Sequence, residues 1–193
     1  MNKIDLLKQE INYIKNNKYK ENLKILINLL PDYFFEVPAS STGKYHPEFS
    51  LGEGGLLRHT KLVARIGFEL YKDESITDVF NDAEKDLMMI AMILHDGLKH
   101  GLEKSEYVIF EHPIVMANFI RENSNLLTLN EKEIEFVASV IETHMGPWIT
   151  DYKGNEVLEK PHNKYQKFVH MCDYLASRKF LNVNFVNNEI TTN

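Results

Sequence analysis

The stretch Asp82 to Asp96, DAEKDLMMIAMILHD, decides how the rest of the chain reads. From Leu87 to Leu94 it is apolar on every side, so a helix built from it must run through a core rather than along a surface. The run is far too short for the roughly 20 residues of a membrane span. Asp82 stands where an N-cap is expected, and Met88, Met89 and Met92 read as packing. At its far end the helix stops on His95 and Asp96. Neighbours on a helix point about 100° apart, and only at or near an end can both turn toward one point.

Working outward, the same 3.6-residue periodicity recurs. Upstream, Gly54-Gly55 opens a pattern of Leu56, Leu57, Thr60, Val63, Ala64, Gly67, Phe68 and Leu70. Two N-terminal helices precede it, one carried by Ile4, Leu7, Ile11 and Ile14, the other by Leu23 to Leu30 and closed by Pro31. Downstream, helices are predicted over 111–121, 131–143 and 165–179, separated by Asn-, Ser-, Gly- and Pro-containing connections. No strand-like alternation and no internal repeat appears. The fold class expected is therefore all-α, a single bundle of about seven main helices. Residues 1–45 supply N-terminal helices and a loop packed on a core of residues 46–180, and the polar tail 181–193 reads as frayed. The loop EVPASSTGKYHPEFSLG, residues 36–52, is long enough to expect a functional role. Its SSTGK is not a phosphate-binding loop, because Pro38 replaces the first required glycine and Tyr45 follows Lys44.

Composition narrows the class further. The 193 residues suit one domain, 44% hydrophobic and 26% charged, which excludes a disordered chain. The net charge of −6 is opposite to the footprint of a duplex-DNA binder. The basic stretch KNNKYKENLK, residues 15–24, reads as a solvated helix face. A single cysteine, Cys172, permits neither an internal disulfide nor a cysteine zinc cage. With no apolar leader at the start, a soluble cytoplasmic protein is expected.

The histidines carry the chemistry. His59 lies one turn into a helix, His95-Asp96 ends the buried one, His112 begins the next, His144 ends another, and Asp173 lies inside the last. Five helices thus contribute to one point. Imidazole and carboxylate suit Mn, Fe, Co, Ni or Zn, in one or two ions, and disfavour magnesium. Asp96 has two oxygens and can bridge ions roughly 3.5 to 4 Å apart, as two-metal phosphoester hydrolases require. His162 and His170 read as surface or satisfied core histidines, and Trp148 as core, with a base-stacking or pocket-wall role as the other reading.

The series H…HD…H…H…D, with GGLLRHT at residues 54–60 and HDGLKHG at 95–101, resembles the HD-domain metal-dependent phosphohydrolases over residues 46–179. GGLLRHT is most similar to the HD nuclease module of YhaM-type 3′→5′ exoribonucleases. The chain departs from that module in reading His144-Met145-Gly146 rather than His-His-Gly, and in showing no oligonucleotide-binding barrel ahead of the domain. The resemblance implies that His59, His95, Asp96 and Asp173 hold a first ion, and Asp96, His112 and His144 a second. It gives Asp96 and Lys99 catalytic roles and lets Lys99 contact substrate; Arg58 and His100 read equally as phosphate contacts or as solvent-exposed residues beside the site, and the long loop's His46 as covering the site or contacting substrate. A nucleotide or short oligonucleotide is the expected partner. A membrane and a long duplex are not, and a homodimer is the oligomeric expectation. The rival readings are a nucleotide phosphohydrolase and a non-catalytic metal- or nucleotide-binding module.

Overall fold

The computed structural model describes residues 2–40, 42–43, 46–181 and 183–191. Ser41, Lys44 and Tyr45 of the long loop, and Asn182, Thr192 and Asn193 of the tail, lie outside the described residues. The helices are α1 (Lys3–Leu6), α2 (Lys8–Ile11), α3 (Asn17–Leu29), α4 (Gly55–Leu70), α5 (Glu74–Thr77), α6 (Asp82–Leu94), α7 (His112–Glu122), α8 (Glu131–Glu142) and α9 (Lys164–Ala176). Short 3-10 turns at Asp32–Phe35, Glu48–Ser50 and Ser124–Leu126 link them. Among the described residues the fold is helical apart from one small hairpin, β1 (Phe185–Val186) and β2 (Glu189–Ile190), and an isolated antiparallel bridge between Thr150 and Glu156. Among the described residues no helix is long and apolar enough to cross a membrane.

Helix α6 is the axis. Its residues Met88 to Leu94 are at most 1% exposed, as their all-round apolar pattern requires. Helices α4, α8 and α9 pack on it, and α7 packs on α8. Its N-cap is Asn81 rather than the expected Asp82, in a reciprocal box with Glu84. Similar boxes, Asn130 with Glu133 and Asn163 with Gln166, start α8 and α9. The first N-terminal helix is two single turns, because Leu7 leaves helical geometry at φ −118°. Lys3 is tied to Asp32 and to the Leu30 carbonyl, which pins the first turn against the end of α3. Leu7, Ile11 and Ile14 are nevertheless all buried.

The long loop is stitched to the start of α4. Gly54 and Leu56 donate their N–H groups to the Glu36 and Val37 carbonyls, satisfying donors that a helix N-terminus leaves open. Gly55 makes this approach feasible, since a Cβ there would lie 2.2 Å from the Ser50 carbonyl oxygen. Backbone cannot yield as a side-chain tip can. The glycine pair therefore brings the loop, and His46 with it, over the first turns of α4.

The described part of the tail forms the hairpin rather than fraying. Asn187 and Asn188 both have positive φ, which asparagine tolerates, and so make a two-residue hairpin turn. Phe185 stacks on Phe49 at 5.0 Å, Asn188 accepts from Arg58, and Glu189 accepts from Lys61. Arg58 and Lys61, both on α4, thus dock the hairpin.

Lys61 is itself buried, 3.8 Å from the equally buried Glu10 of α2. Burial pushes the Glu10 carboxyl up to about 7, an effect that Lys61 only partly offsets. A raised acid holds its proton more tightly when folded, so its contribution is fully present below the ordinary value of 4.5 and is lost as pH rises through about 7. Glu10→Gln removes this loss. The variant should gain on the wild type between about pH 5 and pH 8 by on the order of 3 kcal/mol. Denaturant melts at both pH values check this, and a pH-independent difference would contradict it.

Candidate metal centre

Five helices deliver the centre. His59 comes from the second turn of α4, His95 caps α6 with Asp96 directly after it, His112 opens α7, His144 follows α8, and Asp173 lies in α9. The four histidines and Asp96 are at most 2% exposed, and the Asp173 side chain is 18% exposed. All six ligand residues expected from the sequence therefore meet.

Asp96 divides the group in two. Its Oδ2 lies 3.8 Å from His59 Nε2 and 3.4 Å from His95 Nε2, and Asp173 Oδ1 completes that side at 3.0 Å from His59 Nε2. Its Oδ1 lies 3.0 Å from His112 Nε2 and 3.6 Å from His144 Nε2, which are 3.3 Å from each other. Among the described residues, two sets have ligand atoms within 4.8 Å of one another: His59, His95 and Asp173, and His95, Asp96 and His144. His95 belongs to both and stands between the two sides.

The donor set fits a metal for three reasons. First, helix ends fix the tautomers: Nδ1 of His95, His112 and His144 lies 2.7 to 2.8 Å from the carbonyl three residues earlier, Met92, Ile109 and Ile141 respectively. Each Nδ1–H donates there and leaves the Nε2 lone pair facing inward, the outer-shell arrangement of metal-ligating histidines. Second, His59 Nε2, His95 Nε2 and Asp96 Oδ1 are buried without a hydrogen-bond partner among the described residues. Their oxygens and nitrogens are close but not aligned for hydrogen bonds, which is costly unless a cation takes up the lone pairs. Third, imidazole with carboxylate is a borderline-metal donor set.

Electrostatics point the same way. Burial pushes Asp96 up, but Lys99 and His95 outweigh it and hold its carboxyl well below the usual range. Burial likewise acts on Asp173, and His59 and His95 overcome it, so that carboxyl is also depressed. Burial lowers His59 and His112. On His95 burial is outweighed by the Asp96 and Asp173 carboxylates, which raise it.

Around the cluster the expected contact residues separate. Lys99 lies 2.5 Å from Asp96 Oδ2 and is 8% exposed, so it belongs to the centre. The His46 ring is edge-on to His59 at 5.4 Å, and burial lowers its imidazole to about 3. His100 is not the exposed side chain that one reading of the sequence allows: it is buried, its Nδ1 is 3.0 Å from the Ser105 carbonyl, and its N–H donates to Tyr33 Oη. Arg58 points away from the cluster. Its guanidinium donates to the Phe49 and Leu51 carbonyls and to Asn188, so it joins loop to tail. A cavity of about 580 Å³ beside it is lined by Phe49, Lys179 and Phe185 and contains none of the cluster.

His162 is exposed, as expected. Trp148 is not core: it is 49% exposed, 6.0 Å from Tyr174 and nearly parallel to it. Two supports have no sequence signature. Tyr33 Oη donates to the Gly101 carbonyl and braces the turn after Asp96. His170 Nδ1 lies 2.8 Å from the His144 carbonyl and holds the backbone at His144.

Fold and site together define an all-helical protein with a buried His/Asp centre able to hold divalent metal. The family model described as HD domain matches residues 56–178, and the chain belongs to that family. Members of it are generally metal-dependent phosphohydrolases. No curated protein and no solved structure matches the chain, so the narrower YhaM-type likeness has no relative to support it.

Proposed function

We propose that this chain hydrolyses phosphoester bonds of nucleotides or short single-stranded nucleic acid by activating water at the His/Asp centre. The observation that carries the reading is the two-sided Asp96, with His59 and His95 facing one oxygen and His112 and His144 the other. His59, His95, Asp96 and Asp173 would hold one ion, and Asp96, His112 and His144 a second. Bound there, a divalent ion lowers the pKa of a water toward neutrality and neutralises charge on phosphoryl oxygens.

The chain's own residues do the rest. The helix-end carbonyls hold each imidazole in the ligating tautomer. Lys99 adds a positive charge on the Oδ2 side of Asp96, where it neutralises a non-bridging oxygen of the substrate. His46, held by the stitched loop, covers His59 and excludes bulk water from that side. Arg58 and His100 take no part in substrate contact on this reading, because their partners lie in the loop, the tail and the turn after Asp96.

Enclosure of the cluster, open chiefly at Asp173, supports a small ester or a strand end rather than the interior of a duplex. The same enclosure favours a second reading, a nucleotide phosphohydrolase that releases phosphate. The two differ in which bond breaks. Turnover of bis-p-nitrophenyl phosphate with manganese, cobalt or nickel supports the diesterase, and turnover of p-nitrophenyl phosphate alone supports the second. Correctly folded protein that takes up no metal and turns over neither ester would overturn both and leave a binding module.

A further inference from the structure

We infer that Trp148, backed by Tyr174 and Arg178, is a stacking platform for the nucleobase of the substrate; this rests on the phosphoester reading above. The argument starts from access. Of the six metal-centre residues only Asp173 is appreciably exposed, so a substrate arrives on its side of the cluster. On α9, His170 stands three residues before Asp173 and shares its side of the helix, Ser177 at the C-cap stands four residues after it, and Tyr174, one turn on from His170, is the next side chain round the rim. The rim on that side is aromatic and cationic. Tyr174 is 38% exposed, and Arg178 lies over its ring at 4.2 Å, fixed by hydrogen bonds to Ser177 Oγ and the Tyr174 carbonyl.

Trp148 is held against this rim rather than left loose. The turn after His144 passes through Gly146, at φ +66°, where a Cβ would lie 2.1 Å from the His170 ring. That close approach lets His170 reach the His144 carbonyl and seats Trp148 6.2 Å from His170 and 6.0 Å from Tyr174, at 15° to the latter. One backbone segment thus carries a metal-centre ligand at one end and the chain's single tryptophan at the other. A half-exposed indole does nothing for the core, and its free π face suits a flat, π-rich group. With the phosphoryl group drawn to the centre, and Arg178 and Lys99 supplying positive charge, the matching chemistry is a nucleobase carried on a phosphate ester.

Because Trp148 is the single tryptophan, its fluorescence reports the platform directly. The test titrates zinc-supplemented protein with adenosine 5′-monophosphate, ribose 5-phosphate and inorganic phosphate. Adenosine monophosphate should quench the indole, and the two baseless ligands should not. By calorimetry, Trp148→Ala should bind the nucleotide about tenfold or more weakly, with its phosphate affinity unchanged, and Trp148→Phe should recover most of the loss. Equal wild-type affinity for adenosine monophosphate and ribose 5-phosphate would overturn the platform, as would loss of phosphate affinity in Trp148→Ala equal to the loss of nucleotide affinity. The two readings fail separately. Nucleotide-specific quenching without ester hydrolysis keeps the platform and removes the hydrolase, whereas ester hydrolysis without base preference does the reverse.

Discussion

Asp96→Asn is expected to lose both metal ions and to lower turnover by roughly 10³-fold or more, whereas His112→Ala should lose one ion. The asymmetry follows from position. One carboxylate oxygen faces His59 and His95 and the other faces His112 and His144, so neutralising Asp96 weakens both sides together. His112 touches the Oδ1 side alone, at 3.0 Å. Several kcal/mol of charge stabilisation from a metal corresponds to a thousandfold or more at about 1.4 kcal/mol per decade. Asn fills the same space, so folding should survive, although Lys99 loses its buried carboxylate partner. Elemental analysis of the purified variants, with circular dichroism to check the fold, reads the result. Equal metal loss in the two variants would refute the two-sided assignment, and full metal content in Asp96→Asn would refute the centre.

Saturating divalent metal should raise the melting temperature of chelator-stripped protein by about 10 °C, and excess chelator should reverse the shift. The physical source is a cluster whose folded state holds His59 Nε2, His95 Nε2 and Asp96 Oδ1 buried and unpartnered among the described residues. A ligand that binds only the folded chain at a thousand times its dissociation constant adds about 4 kcal/mol. For a chain of this size each kcal/mol moves the melting temperature by roughly 2 to 4 °C. Asp96→Asn should shift by less than about 2 °C on the same basis. A wild-type shift that the variant reproduces in full would mean that metal binds elsewhere.

Much of this centre was legible from residue order. His95-Asp96 at the end of an all-apolar run is a pair that can converge, and His59, His112, His144 and Asp173 stand at helix positions that the bundle gathers. Other contacts were not legible, for a shared reason. Arg58 donates to Phe49, Leu51 and Asn188, and Lys61 is buried between Glu10 and Glu189. Their partners come from the loop, the N-terminal turns and the tail hairpin, segments distant in the chain. Trp148 reads as core because most lone tryptophans are, and only its seating beside His170 and Tyr174 shows the exposed face.

The sequence by itself determined the helical class, the buried axis Leu87 to Leu94 and which six His and Asp residues stand at positions able to converge, because periodicity and helix ends are local properties of the chain. The tertiary structure alone decided which Asp96 oxygen faces which histidines, that Asp173 is the exposed member of the cluster, and that Arg58 is hydrogen-bonded to the loop and the tail. Those are matters of side-chain direction and of contacts between segments far apart in sequence, set when the helices pack and burial forces each polar group to find its partner.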